Sequence, residues 1–228
     1  MAQTVTATPV SEARINTFLA QVYLLMFVGL GVTGLVSLWV SENLRFQTRL
    51  FTNPWLGWGL FIIQVIVVAA LAARVMSMSA GAAALLFLFY AALTGLSLSS
   101  IFLLYAKDQI ASVFLLTSGT FLISGLVGLL IKRDMSGAGN FLFMLLVGWS
   151  LAWILSWLFP WSNFGWALNY IGIAIFVGLT AWDTQQLKKL GQQIGSHPAR
   201  GGLVVIGALK MYLDYINLFL LMLRASNR

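Results

Sequence analysis

The sequence predicts an all-α fold, a polytopic membrane bundle of seven transmembrane helices, and three observations carry that prediction. Of the 228 residues, 60% are hydrophobic and only 8% are charged, against roughly 25% charged in average proteins. So few charges cannot cover a water-facing surface, and the mean hydropathy of +0.92 agrees. The apolar residues fall into seven runs near the ~20 residues a helix needs to cross a bilayer. None has the short in–out alternation of an outer-membrane barrel strand. Nine Trp and six Tyr fit an aromatic belt at the membrane interfaces.

Taken in order, the first segment, 1–15, is polar and has no basic stretch ahead of a short apolar core. It reads as a disordered tail rather than a cleaved signal, and the transmembrane domain is expected over 16–228. The runs are 16–40, 55–76, 82–105, 110–131, 139–160, 164–187 and 203–223. The breaks between them are SENLRFQTRLFTNP, MSMSAG, AKDQ, KRDMSGAG, PWSN and KKLGQQIGSHPARGG. These carry the Gly, Pro, Asn and charge that punctuate helices.

Basic residues near helix ends set orientation. With the N-terminus in the cytoplasm, Arg14, Arg74, Lys132, Arg133, Lys188, Lys189 and Arg200 lie inside, while Arg45, Arg49, Lys107, Arg224 and Arg228 lie outside. The count is seven against five. The last run is the least apolar, and re-entry instead of crossing would move Arg224 and Arg228 inside.

Two acidic residues interrupt apolar runs: Asp183 in AIFVGLTAWDTQQL and Asp214 in ALKMYLDYINLFLLML. A charge at the bilayer centre costs about 2.5–3.5 kcal/mol on insertion scales, so each is a functional-site candidate. Asp183 is expected about four residues from its helix end, and Arg74 at similar depth on the same side. Two carboxylates and a guanidinium can thus meet in the inner half of the bundle. A close carboxyl pair in low dielectric shares a proton and titrates as a unit, which makes a pH switch or a proton or cation binding point.

The plain alternatives are local. Interfacial water could satisfy Asp183, and Lys210, one turn earlier, could pair with Asp214; Lys210, Asp214 and Asn217 share one helix face. Thr180 and Thr184 flank Asp183 and could donate to it. Arg74 is either an anchor that snorkels to headgroups or an ion-pair partner that holds a pore closed. Tyr90, Thr94 and Ser97 form a stripe suited to interhelical hydrogen bonds. Gly29, Gly31, Gly34, Gly125 and Gly128 are packing positions, and Lys132, Arg133 and Asp134 read as a topology anchor.

Enzyme chemistry is not expected. There is no Cys and one His, His197, and no P-loop, HExxH or GxSxG motif. Paired membrane aspartates suggest an intramembrane protease, but Tyr-Leu-Asp-Tyr stands where GxGD would be needed. The positive charge lies in short helix connections, which argues for membrane topology and against nucleic acid. No cofactor is expected.

The strings FYAALTGLSLSSIF (89–102), FVGLTAWDTQQLK (176–188) and GALKMYLDYINLFLLMLR (207–224) resemble the Bax inhibitor family, and its bacterial inner-membrane members most. The resemblance covers the chain from residue 15 onward. It implies a last helix surrounded by the other six, and a pH-sensitive calcium leak with a di-aspartyl sensor at Asp183 and Asp214. Any Ca²⁺ bound by that pair would be weak and transient. A basic residue near the end of the second helix belongs to the family's sensor, and Arg74 matches it. Lys210 departs from the pattern: a cation one turn before Asp214 would favour the ionised form. Implied partners are lipid, Ca²⁺ and protons. Other members are regulators of a membrane protease or of cell survival, so a non-conducting regulator binding another membrane protein stands as the alternative.

Overall fold

A computed structural model describes residues 12–158, 165–194 and 200–227, and over these the chain is helical apart from short connections. The helices are α1 (Glu12–Glu42), α2 (Leu44–Thr52), α3 (Pro54–Arg74), α4 (Ala80–Leu98), α5 (Ile101–Leu104), α6 (Lys107–Leu130), α7 (Ser136–Leu158), α8 (Gly165–Ile194) and α9 (Arg200–Ala225). Seven spans are long and apolar enough to cross a membrane, with α4 and α5 together forming the third, Ala80–Leu104. All seven expected runs are present.

Four boundaries differ from expectation. Helix α1 starts at Glu12, inside the stretch expected to be a polar tail, where an acidic residue in the first turn complements the helix dipole. The rest of that stretch, residues 1–11, lies outside the described residues, as does His197. The connection SENLRFQTRLFTNP contains the amphipathic helix α2, pinned by buried Gln47, whose Nε2 donates to Ser99 O at 2.8 Å. Asn53 then caps α3, its side chain accepting from Trp55 N–H at 3.1 Å with Pro54 at the first helical position. The third span breaks at Ser99 and Ser100, whose hydroxyls donate to Leu96 O at 2.7 Å and Ser97 O at 2.9 Å; such back-bonding competes with the helix ladder. Finally, α8 runs to Ile194 instead of ending near 187. Thr-Gln-Gln-Leu-Lys-Lys-Leu is polar, but Gln, Leu and Lys are good helix formers, so the helix outlasts its apolar run.

Helix α9 is the centre of the bundle. In its most apolar stretch 61% of residues are buried, against 11% for α3 and 6% for α7. It packs on α1, α4, α6 and α8, whereas α3 leans on α4 and α7 on α8. These four helices make its main contacts, and α7 reaches it as well, with the Arg224 guanidinium 4.6 Å from the Trp153 ring. Tyr212, Met211 and Leu218 are fully buried along it. Close approach of α6 to α8 depends on Gly128, where a Cβ would collide with the backbone carbonyl of Ala181, the use small residues have at membrane helix interfaces. Outward-facing Phe61, Ile66, Phe141 and Met144 are exposed and face the acyl chains.

Candidate functional site

Helices α8 and α9 run antiparallel. Gly207 lies against Leu187 near one end, and Asn169 Nδ2 donates to Leu221 O at 2.9 Å near the other. That register places Asp183 beside Asp214. Asp183 stands ~16 Å inside the Ile194 end of α8, and Asp214 ~21 Å inside the Arg200 end of α9. The extension of α8 therefore sets Asp183 far deeper than the four residues expected. Asp183 is 2% exposed and Asp214 7%, and their carboxyl groups lie within hydrogen-bonding reach of each other.

Lys210 is the counter-charge, and its partner is Asp183 rather than Asp214: Nζ lies 2.5 Å from Asp183 Oδ1. The reason is directional. Lys210 precedes Asp214 by four residues, the less favourable order for such a pair along one helix, and its side chain reaches across to α8 instead. There its ammonium sits 4.5 Å from the ring centroid of Trp182, a cation–π contact. Lys210 Nζ is the donor beside Asp183 Oδ1, whereas the buried Asp214 Oδ2 has no hydrogen-bond partner. A buried carboxyl oxygen without a donor, on a group that faces a second carboxyl, suits one shared proton.

Access comes from one side. An open cleft of about 330 Å³ between α8 and α9 is lined by Asp183, Gln186, Gln193, Gly207 and Lys210. A second cavity, about 390 Å³ and mostly apolar, is lined by Thr33, Ser37, Lys107, Tyr215 and Phe219. The two share no lining residue.

A family model described as "Inhibitor of apoptosis-promoting Bax1" matches residues 15–227. The chain is 44% identical to the inner membrane protein YbhL of Escherichia coli K12, covering 93% of this chain and 92% of that one. It is 35% identical to an uncharacterized protein of Borreliella burgdorferi, over 92% and 90% of the two chains. With an uncharacterized membrane protein of Streptococcus pyogenes the identity is 34%, over 96% and 95%.

The chain belongs to the Bax inhibitor family.

Within this Bax inhibitor protein the structure assembles part of the expected site. Arg74 is not in it: the residue is exposed at the end of α3, and among the described residues it forms no ion pair with either aspartate. Helix α3 packs on α4, a layer away from the pair. The flanking threonines are bonded elsewhere. Thr180 Oγ1 bonds Phe176 O at 2.8 Å, and Thr184 Oγ1 shares a 2.9 Å bond with Tyr23 Oη. Asn217 Nδ2 donates back to Leu213 O at 2.9 Å.

Tyr23, from α1, escaped the sequence reading. Its hydroxyl lies within electrostatic reach of Asp214 and ties α1 to α8 through Thr184. The available signal was a lone Tyr among the buried positions Leu19, Val22 and Met26 of α1. Among the described residues no three His, Asp or Glu side chains cluster as a metal site. Calcium takes six to eight oxygens, so two carboxylates could serve a passing ion but not store one.

Proposed function

We propose that this protein is a proton-sensitive cation leak in the bacterial inner membrane, with Asp183 and Asp214 as the sensing pair and Ca²⁺ as the conducted ion. The observation that carries the reading is the buried carboxyl pair, one member of which, Asp183, lines an open cleft beside a single ammonium as counter-charge. Two carboxylates and one ammonium sum to one negative charge, and one shared proton brings the cluster to neutrality. In that state α8 and α9 stay packed. Loss of the proton leaves an uncompensated charge in a low-dielectric interior, which is costly. Relief comes from separating the helices, admitting water, or taking up a cation from the cleft.

Orientation follows the basic residues. The α6–α7 connection and the facing ends of α8 and α9 carry Lys132, Arg133, Lys188, Lys189 and Arg200, which assigns them, with the N-terminus, to the cytoplasm. The cleft then opens to the cytoplasm. Helix α9 is continuous over 26 residues, ~39 Å, which favours crossing over re-entry.

The test is Ca²⁺ flux from liposomes holding the purified protein, measured across about pH 5 to 9. Wild-type flux should vary with pH. Asp214→Asn keeps the shape but removes the ionisable group, so its flux should be nearly flat with pH, and Asp183→Asn should behave alike. An unchanged pH profile in both variants refutes the sensor. No flux at any pH refutes the leak and leaves a non-conducting regulator of another membrane protein.

A further inference from the structure

A second polar site lies on the same side of the bundle, where the α6–α7 connection meets α8. Lys132, Arg133, Lys188 and Lys189 converge there around an open pocket of about 440 Å³, with Asp134 the one acidic side chain in its lining. Reading these residues as topology anchors explains their sign but not their arrangement, which is built. Gln185, 5% exposed, clamps the connection: its Nε2 donates to Ile131 O at 3.1 Å and Arg133 O at 2.9 Å, and its Oε1 accepts from Met135 N–H at 2.9 Å. Lys188 Nζ donates to Leu129 O at 3.0 Å. The carbonyls of Leu129, Ile131 and Arg133, which would repel an anion, are thereby occupied.

Asp134 is occupied as well. It pairs with Lys189 and accepts from Ser136 N–H at 3.1 Å and Ser136 Oγ at 2.7 Å, capping α7. Lys132 and Arg133 are what remain: exposed, held by a clamped backbone, and without an ion pair among the described residues. They sit between the ends of two membrane spans, Leu130 and Ser136. Next to them in the chain, exposed Leu130 and Ile131 close α6, and exposed Phe141 lies in the second turn of α7, all on the apolar surface.

We propose that this pocket binds the phosphate of an anionic lipid headgroup, with Lys132 and Arg133 as its primary ligands and the lipid's acyl chains lying along Leu130 and Phe141. Four cations against one carboxylate supply the charge complementarity, and basic pockets between transmembrane helices are suited to such headgroups. The adjoining apolar flank is the reason to prefer a lipid over a free phosphate ion, which would gain nothing from it.

The test uses the full chain in neutral detergent, with phosphatidylglycerol retention read by native mass spectrometry and by the rise in Tm as lipid is added. Lys132→Ala/Arg133→Ala should weaken phosphatidylglycerol binding by roughly 30-fold, about 5-fold per cation. Arg45→Ala/Arg49→Ala, which removes equal charge elsewhere, should leave it unchanged, and phosphatidylcholine should bind equally weakly to every form. Lys132→Gln/Arg133→Gln, keeping length and polarity, should show the same loss as the alanine pair. Equal losses in the two alanine double variants would overturn the site in favour of general charge attraction. Displacement of the lipid by an equal concentration of inorganic phosphate would overturn the headgroup assignment.

Discussion

Removing the ammonium at the aspartate pair should destabilise the bundle by about 1–2 kcal/mol, and the geometry sets that figure. Losing one partner of a fully buried ion pair costs roughly 3–5 kcal/mol, because the other charge is left uncompensated. Asp183 is buried, but the Lys210 side chain is 45% exposed in the cleft, so water screens it and the full cost does not apply. The cation–π contact with Trp182 adds about 0.5–1 kcal/mol to what is lost. Lys210→Met keeps most of the apolar stem, so lost packing contributes little.

The assay is a double-mutant cycle over Lys210→Met and Asp183→Asn, with stability in detergent followed by Trp fluorescence during thermal or denaturant unfolding. Lys210→Met alone should lower stability. In the Asp183→Asn background the same change should cost far less, giving a coupling of about 1 kcal/mol or more. Lys210→Arg should retain most of the wild-type value. Coupling below about 0.3 kcal/mol would mean that Lys210 merely snorkels into the cleft, and the counter-charge argument would fail with it.

Three further outcomes follow from particular contacts. Gly128→Ala should destabilise by about 1–3 kcal/mol, because its Cβ meets the Ala181 backbone; Gly119→Ala, where a Cβ meets nothing, should be neutral or stabilising in the same unfolding assay. Arg74→Ala should leave the pH profile of Ca²⁺ flux unchanged, and a raised basal flux would show that Arg74 does latch the closed state. Asp134, outside the spans, is pushed down to about 2 from its ordinary 3.8, chiefly by the hydrogen bond from Lys189 and then by those from Ser136. A depressed folded value means its contribution is complete above about pH 4 and is lost as pH falls through about 2, so amide exchange at Met135 and Ser136, corrected for intrinsic rate, should be flat from pH 5 to 8. Protection that fades within that range would contradict the pairing.

The number of spans, their order and the central place of α9 were legible because each rests on composition or on polar residues that lipid cannot satisfy. Asp183 and Asp214 stood out for the same reason. What stayed hidden needed direction or register. The end of α8 could not be read from hydropathy, since the apolar run stops near Leu187 while helix formers carry the backbone to Ile194. The short helix α2 hid in a connection whose charged and apolar residues average out. Gln185 carries no signal in the sequence, yet it makes three hydrogen bonds to the α6–α7 connection.

The case of Lys210 shows how a single contact changes the chemistry. Sequence spacing allows a Lys210–Asp214 pair along one helix, which would leave Asp183 alone to face water. The ammonium instead crosses the helix boundary to Asp183, and so leaves Asp214 facing a carboxyl group with no cation bonded to it. The asymmetry matters for the proposed sensor. Of two adjacent carboxylates, the one beside the ammonium is the better placed to remain charged, and the shared proton is then held chiefly by the other. One ion pair between helices therefore assigns different roles to two chemically identical groups, one anchored to the cleft and the other left as the proton's resting place in the interior.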